Sequence, residues 1–258
     1  MLRHSDMHVH LDQFADPGGT ADAAAAAHTA LLAVTTTPAG FRAADGLLAG
    51  RSNVRVAAGL HPWWLDGRCG EDDVRALEGI IGTRRFIGEI GLDFLEKHAA
   101  RSTWERQKEV FGRICAAASA ASAECRSPTV LSIHAVRASE TVLDILSETG
   151  CLERCICILH WFSDSSENLW RAIRAGCWFS VGARSLATGK GREYIKLIPH
   201  DRLLFETDMP WPGDAERGYA AIHGSLAQAE SAAAAIIGAD AVQKAQENAA
   251  FILGETDA

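Results

Sequence analysis

Short apolar or β-branched runs alternate along the chain with longer stretches of helical pattern. The runs predict strands at 6–11, 32–36, 54–59, 86–91, 129–134, 155–161, 178–182 and 203–207. Between them the pattern predicts helices at 21–30, 43–49, 71–81, 103–124, 140–149, 165–175 and 193–198, and the Ala-rich tail over 219–253 reads as helix too. Runs such as Val130-Leu-Ser-Ile133 and Ile156-Cys-Ile-Leu159 are apolar on both faces, as strands covered on both sides should be. Eight strands alternating with eight helical regions imply an α/β fold of the (β/α)8 TIM-barrel type; a doubly wound open sheet is the alternative.

No solenoid-period repeat and no long Pro/Ser/Gly linker divides the 258 residues, and barrels of this kind run to roughly 250. One domain over 1–258 is therefore expected. With 48% hydrophobic and 22% charged residues the chain is not intrinsically disordered. No stretch approaches the roughly 18 apolar residues of a membrane span, so no membrane partner is expected. Met1-Leu2-Arg3-His4-Ser5-Asp6 offers no apolar run for a signal peptide, and seven cysteines is an odd number; both favour reduced thiols and a cytoplasmic location. Cys151-x3-Cys155-x-Cys157 invites a metal reading, but Cys155-Ile-Cys-Ile-Leu159 reads better as a buried strand in which cysteine acts as a small hydrophobe. The net charge of −8 argues against a protein that coats duplex nucleic acid.

The chemistry of such a barrel collects at the C-terminal ends of its strands. Polar residues fall there repeatedly: His8-Val-His10 on the first strand, His61-Pro62 after the third, Glu89 and Asp93 on the fourth, His134 on the fifth, His160 on the sixth and Glu206-Thr-Asp208 on the eighth. Strand period two puts His8 and His10 on one face, where they can chelate one ion. Any one of these residues alone could be incidental, a hydrogen-bonded core histidine or a capping acid. Jointly that reading fails, because independent accidents would not choose the same end of successive strands, and burying these groups without a cation is costly. Four histidines and two carboxylates exceed what one ion takes, so two divalent metal ions bridged by a carboxylate fit better, with Zn, Mg or Mn as candidates.

Asp6-Met-His-Val-His-Leu-Asp12, Gly59-Leu-His-Pro62, Gly88-Glu-Ile-Gly-Leu-Asp93, Ser132-Ile-His-Ala-Val-Arg-Ala138, Leu159-His-Trp-Phe-Ser163 and Glu206-Thr-Asp208 resemble, in order, the motifs of the TatD family of metal-dependent deoxyribonucleases, within the amidohydrolase-like barrels. Gly176-Cys-Trp-Phe-Ser180 and Asn248…Phe251 add weaker matches. Several of these stretches look closest to the TatD-like component of the Qat anti-phage defence system. The resemblance implies that His8, His10 and Asp208 hold a first metal, that His134 and His160 hold a second, and that Glu89 bridges them. It further implies that His61 and Arg137 reach substrate phosphate. Glu206 is expected behind the ligands, orienting a histidine. Two departures stand out: Trp161 and Asp164 replace the usual Cys and Gly of the sixth-strand motif, and Met209-Pro-Trp-Pro-Gly-Asp214 is short and acid-bearing.

The expected reaction is phosphodiester hydrolysis by a water activated between two metals, with Asp208 accepting its proton. The expected substrate is DNA, single-stranded or cut from an exposed end by exonuclease action, with Trp63, Trp64, Trp161 or Trp211 offering stacking surfaces. Two other readings compete: a two-metal amidohydrolase for a small amide or ester, and a defence-complex subunit that acts mainly by binding protein partners.

Overall fold

The computed structural model describes residues 3–125 and 127–254. The remaining residues of the expected 1–258 domain, Met1 and Leu2 of the start segment among them, lie outside the described residues. In chain order the elements are β1 (His4–Val9), α1 (Pro17–Ala26), β2 (Thr29–Val34), α2 (Pro38–Leu47), β3 (Val54–Ala57), α3 (Glu71–Ile81), β4 (Phe86–Asp93) and α4 (Trp104–Glu124). They continue with β5 (Val130–Val136), α5 (Ser139–Glu148), α6 (Cys151–Arg154), β6 (Ile156–His160), α7 (Ser166–Arg174), β7 (Trp178–Val181), α8 (Ala183–Leu186), α9 (Gly189–Ile195), β8 (Leu203–Phe205), α10 (Tyr219–Ile237) and α11 (Ala239–Leu253).

All strand pairs are parallel, in two ladders ordered β1-β2-β3 and β4-β5-β6-β7-β8. Both seams between the ladders are bridged. A bridge between Ala58 and Ile87 joins the third strand to the fourth, and the Leu60 N–H donates to the Glu89 carbonyl at 3.0 Å. At the other seam the Asp208 N–H donates to the His8 carbonyl and the His10 N–H to the Met209 carbonyl, each at 2.8 Å. The eight strands thus form the expected (β/α)8 arrangement. β2 and β4 are buried at every position, as a sheet covered by helices on its outer face and filled inside requires.

Local chemistry sets where helices begin. Asp16, Thr37, Ser165 and Thr188 each accept a hydrogen bond from a backbone N–H of the first turn of α1, α2, α7 and α9, and proline opens α1 and α2. Two helical expectations need correction. The alanine run around 21–30 does not stay helical: α1 stops at Ala26, His28 turns the chain in the left-handed region (φ 55°), and β2 begins at Thr29. Alanine favours helix, so the run masks a switch that packing imposes. The tail is two helices, parted at Gly238 with φ 90°, a conformation glycine adopts without strain. Among the described residues no helix is long and apolar enough to cross a membrane.

Gly59 lies where the chain leaving β3 passes between β2 and β4. A side-chain carbon there would collide with the Thr35 carbonyl oxygen and with the backbone of Glu89. Gly59→Ala is expected to lower the unfolding free energy by about 1–3 kcal/mol, the usual range for overpacking, as read by urea denaturation.

Candidate metal centre

The strands deliver their polar side chains to one point. His8 ends one residue inside β1 and His10 one beyond it, Glu89 lies within β4, His134 within β5, and His160 closes β6. His61 and Asp208 follow β3 and β8 on the connecting segments. Glu89 sits at the centre and divides its two oxygens. Oε2 faces His8 Nε2 at 3.5 Å and His10 Nε2 at 3.4 Å, while Oε1 faces His134 Nδ1 at 2.8 Å, His160 Nε2 at 3.0 Å and His61 Nε2 at 3.3 Å. Asp208 Oδ1 stands 3.4 Å from His10 Nε2 and 3.7 Å from His8 Nε2. His8 and His160 stack with centroids 3.9 Å apart.

These groups are buried, and their proton affinities follow from what faces them. Burial alone would raise the Glu89 carboxyl, but the facing His61 and His160 and the hydrogen bonds from His10 and His134 hold it well below the ordinary carboxylate range. Burial opposes charge on His10 and His134 too, yet carboxylate hydrogen bonds outweigh it. Asp208 and Glu89 hold His10 at about 10; Asp93 and Glu89 hold His134 at about 9. His8 moves the other way, to about 4, through burial and the neighbouring His160. Burial likewise lowers His61.

The residues fit divalent ions. Three sets place their donor atoms within 4.8 Å of one another: His8 with His10 and Asp208, His8 with Glu89 and His160, and His61 with Glu89 and His134. His8 Nε2 is buried with no hydrogen-bond partner, although it points at two carboxylates. An unsatisfied buried lone pair is costly unless something electropositive meets it. Imidazole and carboxylate donors together suit Zn, Mn and similar ions, and carboxylate oxygens also suit Mg.

A deeper layer fixes the rings. Ser132 Oγ lies 2.8 Å from His8 Nδ1, leaving Nε2 for the centre. Asp93 Oδ2 accepts from His134 Nε2 at 3.1 Å, which turns Nδ1 inward; it also accepts from Trp63 Nε1 at 2.7 Å and from His98 Nδ1 at 3.0 Å. Asp6 receives the Thr207 N–H at 3.0 Å and the Thr207 hydroxyl at 2.5 Å, tying the first strand to the chain after the eighth. Sequence reasoning gave no role to Asp6, Asp93 or Ser132. A signal was present, since Asp6, Ser132 and Glu206 each stand two residues before His8, His134 and Asp208 and so share their face one layer down.

Three expected residues take instructive positions. His61 lies inside the cluster, its Nδ1 accepting the Trp63 N–H at 3.2 Å; a neutral ring then carries its proton on Nε2, aimed at the centre as a donor. Glu206 Oε2 is 3.8 Å from His160 Nδ1, beyond a hydrogen bond, and accepts instead from Ser180 Oγ at 2.5 Å. Its other oxygen accepts the Trp161 N–H at 2.9 Å. Arg137 is exposed, adopts φ 56°, and is not part of the cleft wall. The cysteines form no metal-binding set among the described residues; burial pushes Cys157 and Cys177 upward, away from the thiolate a metal needs, and neighbouring thiols add to the push at Cys157. Above the cluster opens a cleft of about 550 Å³, walled in part by Trp63, Trp64, Trp161 and Trp211.

Since His10 and His134 hold protons at neutral pH in the metal-free protein, an incoming ion must displace them. Affinity for Zn²⁺ or Mn²⁺ should therefore rise from pH 7 toward about 10, with release of about two protons at neutral pH measured by calorimetry in buffers of different ionisation enthalpy. A pH-independent affinity would remove these two imidazoles from the ligand set.

Known proteins resemble this chain in sequence and in fold. The family described as TatD related DNase matches residues 5–252. The metal-dependent hydrolase YabD of Bacillus subtilis is 37% identical over 165 residues, 61% of this chain and 59% of its own length. The 3'-5' ssDNA/RNA exonuclease TatD of Dickeya dadantii is 32% identical over 163 residues, 60% of this chain and 56% of its own length. The chain thus aligns with less than two thirds of either relative. The crystal structure of YJJV, a TatD homologue from Escherichia coli, superposes with a TM-score of 0.77 over 98% of both chains at 22% identity, which shows the fold.

Proposed function

The chain belongs to the TatD-related DNase family, and we propose that it is a single-domain, two-metal phosphodiester hydrolase that trims exposed single-stranded DNA ends. The observation that carries this reading is the split of Glu89, one carboxylate oxygen facing each of two histidine groups. His8, His10 and Asp208 would hold one ion, His134 and His160 the other, and Glu89 would join both. Divalent ions held there supply positive charge that polarises the scissile phosphorus–oxygen bonds and makes an attacking water acidic.

The chain's own residues do the rest. Asp208 borders the cleft, and its left-handed backbone (φ 53°) is pinned by its N–H to the His8 carbonyl; from there the carboxylate accepts the proton of the attacking water. The water oxygen joins phosphorus as the bond to the departing deoxyribose oxygen breaks, and that oxygen leaves with a proton from solvent. His61 donates from Nε2 to a phosphate oxygen. Asp93 and Ser132 hold two ligand rings in register.

A net charge of −8 supports engagement confined to the centre, where bound cations offset it, over coating of long duplex. The Dickeya relative's name supports a single-stranded substrate. Free thiols throughout support a cytoplasmic setting, and the sequence resemblance supports a place in anti-phage defence alongside protein partners.

The test is metal-reconstituted protein on 5′- and 3′-labelled single- and double-stranded DNA beside a panel of small esters. Progressive shortening of single strands is expected, and Asp208→Asn or Glu89→Gln should each slow it by about 10²-fold or more, with the circular dichroism of the barrel retained. Turnover of esters alone would instead establish a small-molecule amidohydrolase.

A further inference from the structure

Trp161 directly follows the candidate ligand His160, and Trp211 lies just beyond Asp208, so both indoles stand at the mouth of the cleft beside the centre. Their rings meet edge to face at 5.7 Å and 83°. Arg184, in the first turn of α8, lays its guanidinium 3.8 Å over the Trp211 ring, with the Trp161 ring 5.8 Å away. Arg184 is exposed, and among the described residues it makes no ion pair or hydrogen bond. A guanidinium held by its face keeps the N–H groups on its edge free, already fixed in the plane that suits a phosphate.

The opposite wall shows the contrast. Arg68 also stacks on an indole, 4.1 Å over Trp64, but gives its N–H groups to Asp66 and to the Trp63 carbonyl. Arg68 is therefore neutralised where Arg184 is not. Trp161 is also held in a conformation unfavourable for a bulky residue, φ 41°, by the Glu206 oxygen that accepts its N–H and by its bond to the Ser180 carbonyl at 3.2 Å. Buried polar groups thus pin the backbone from which the indole projects.

We propose that Trp161, Trp211 and Arg184 form a nucleotide subsite for single-stranded nucleic acid. Arg184 takes the phosphate next to the scissile one, Trp211 fixes the guanidinium, and the open face of Trp161 takes a base. The subsite deepens the hydrolase reading and rests on it for the direction of the strand, but its binding chemistry does not depend on turnover. Neither Arg184 nor Arg137, the phosphate contact that the sequence resemblance implies, lines the cleft itself, but Arg184 is held against two indoles that do.

The experiment measures binding of a fluorescein-labelled single-stranded pentadeoxynucleotide by anisotropy across a salt series, and compares cleavage of that oligonucleotide with cleavage of bis(4-nitrophenyl) phosphate. Arg184→Ala should weaken oligonucleotide binding about tenfold and flatten the plot of log affinity against log salt by about 0.7. Arg184→Lys should keep the salt slope while recovering only part of the affinity. Trp161→Ala should weaken binding roughly 5- to 100-fold with the slope unchanged. In cleavage, both alanine variants should lose at least fivefold more on the oligonucleotide than on the small diester, through KM. Wild-type binding in Arg184→Ala, an unchanged salt slope, or equal losses on both substrates would overturn the subsite, as would a wild-type protein that binds no oligonucleotide. A wild type that binds with this Arg184 dependence but cleaves neither substrate would leave the subsite standing and sink the hydrolase reading.

Discussion

Glu89 is a carboxylate almost wholly withdrawn from water, and five imidazoles converge on it. A buried anion is tolerated only when cations or donors surround it, and a buried imidazole is steadied when its second nitrogen finds a partner, as it does at three of the five rings but not at His10 Nδ1 or His160 Nδ1. Much of the centre follows from those two demands. Ser132 and Asp93 satisfy the outer nitrogens of His8 and His134, and the Trp63 N–H satisfies that of His61. Each such contact also chooses which nitrogen faces inward. The electrostatic requirement and the coordination geometry are one arrangement, and neither can be altered without the other.

The gathering of these side chains was legible in the sequence because strand period two is rigid. His8 and His10, or Glu206 and Asp208, must share a face whatever the loops do, and the order of motifs along the chain placed each at a strand end. The layer beneath was equally legible in principle, since Asp6 and Ser132 obey the same parity, but their chemistry is unremarkable until a partner is seen. What the sequence could not convey was anything settled by loops. Arg184 lies far in sequence from Trp211, on a helix four residues long, and only the packing of two connecting segments lays one over the other. Glu206 shows the same limit: its face was right, yet its partners are Ser180 and the Trp161 backbone instead of an imidazole. The overrun of the first helix to residue 30 is a third case, where alanine propensity ran against tertiary packing and lost.

Acidity over the whole surface and affinity for a polyanion coexist because they act at different ranges. Dispersed surface charge is screened within about 8 Å at physiological salt, while contacts inside a narrow cleft are not. Many of the protein's arginines are occupied by its own acids, as in the Arg113 pairs with Glu71 and Glu78 and the Arg51 pair with Asp22. A guanidinium left unpaired over an indole of the cleft wall is therefore distinctive by context, not by residue type.

The barrel is laddered in two pieces, and the centre lies across the joints. His8 and His10 come from the three-stranded piece, and Glu89, His134 and His160 from the five-stranded one. An ion held by residues of both would also fasten those joints, in addition to any part in chemistry. The residues that gather at the working end thus stand where the two ladders join, beside the backbone bonds that already close each seam.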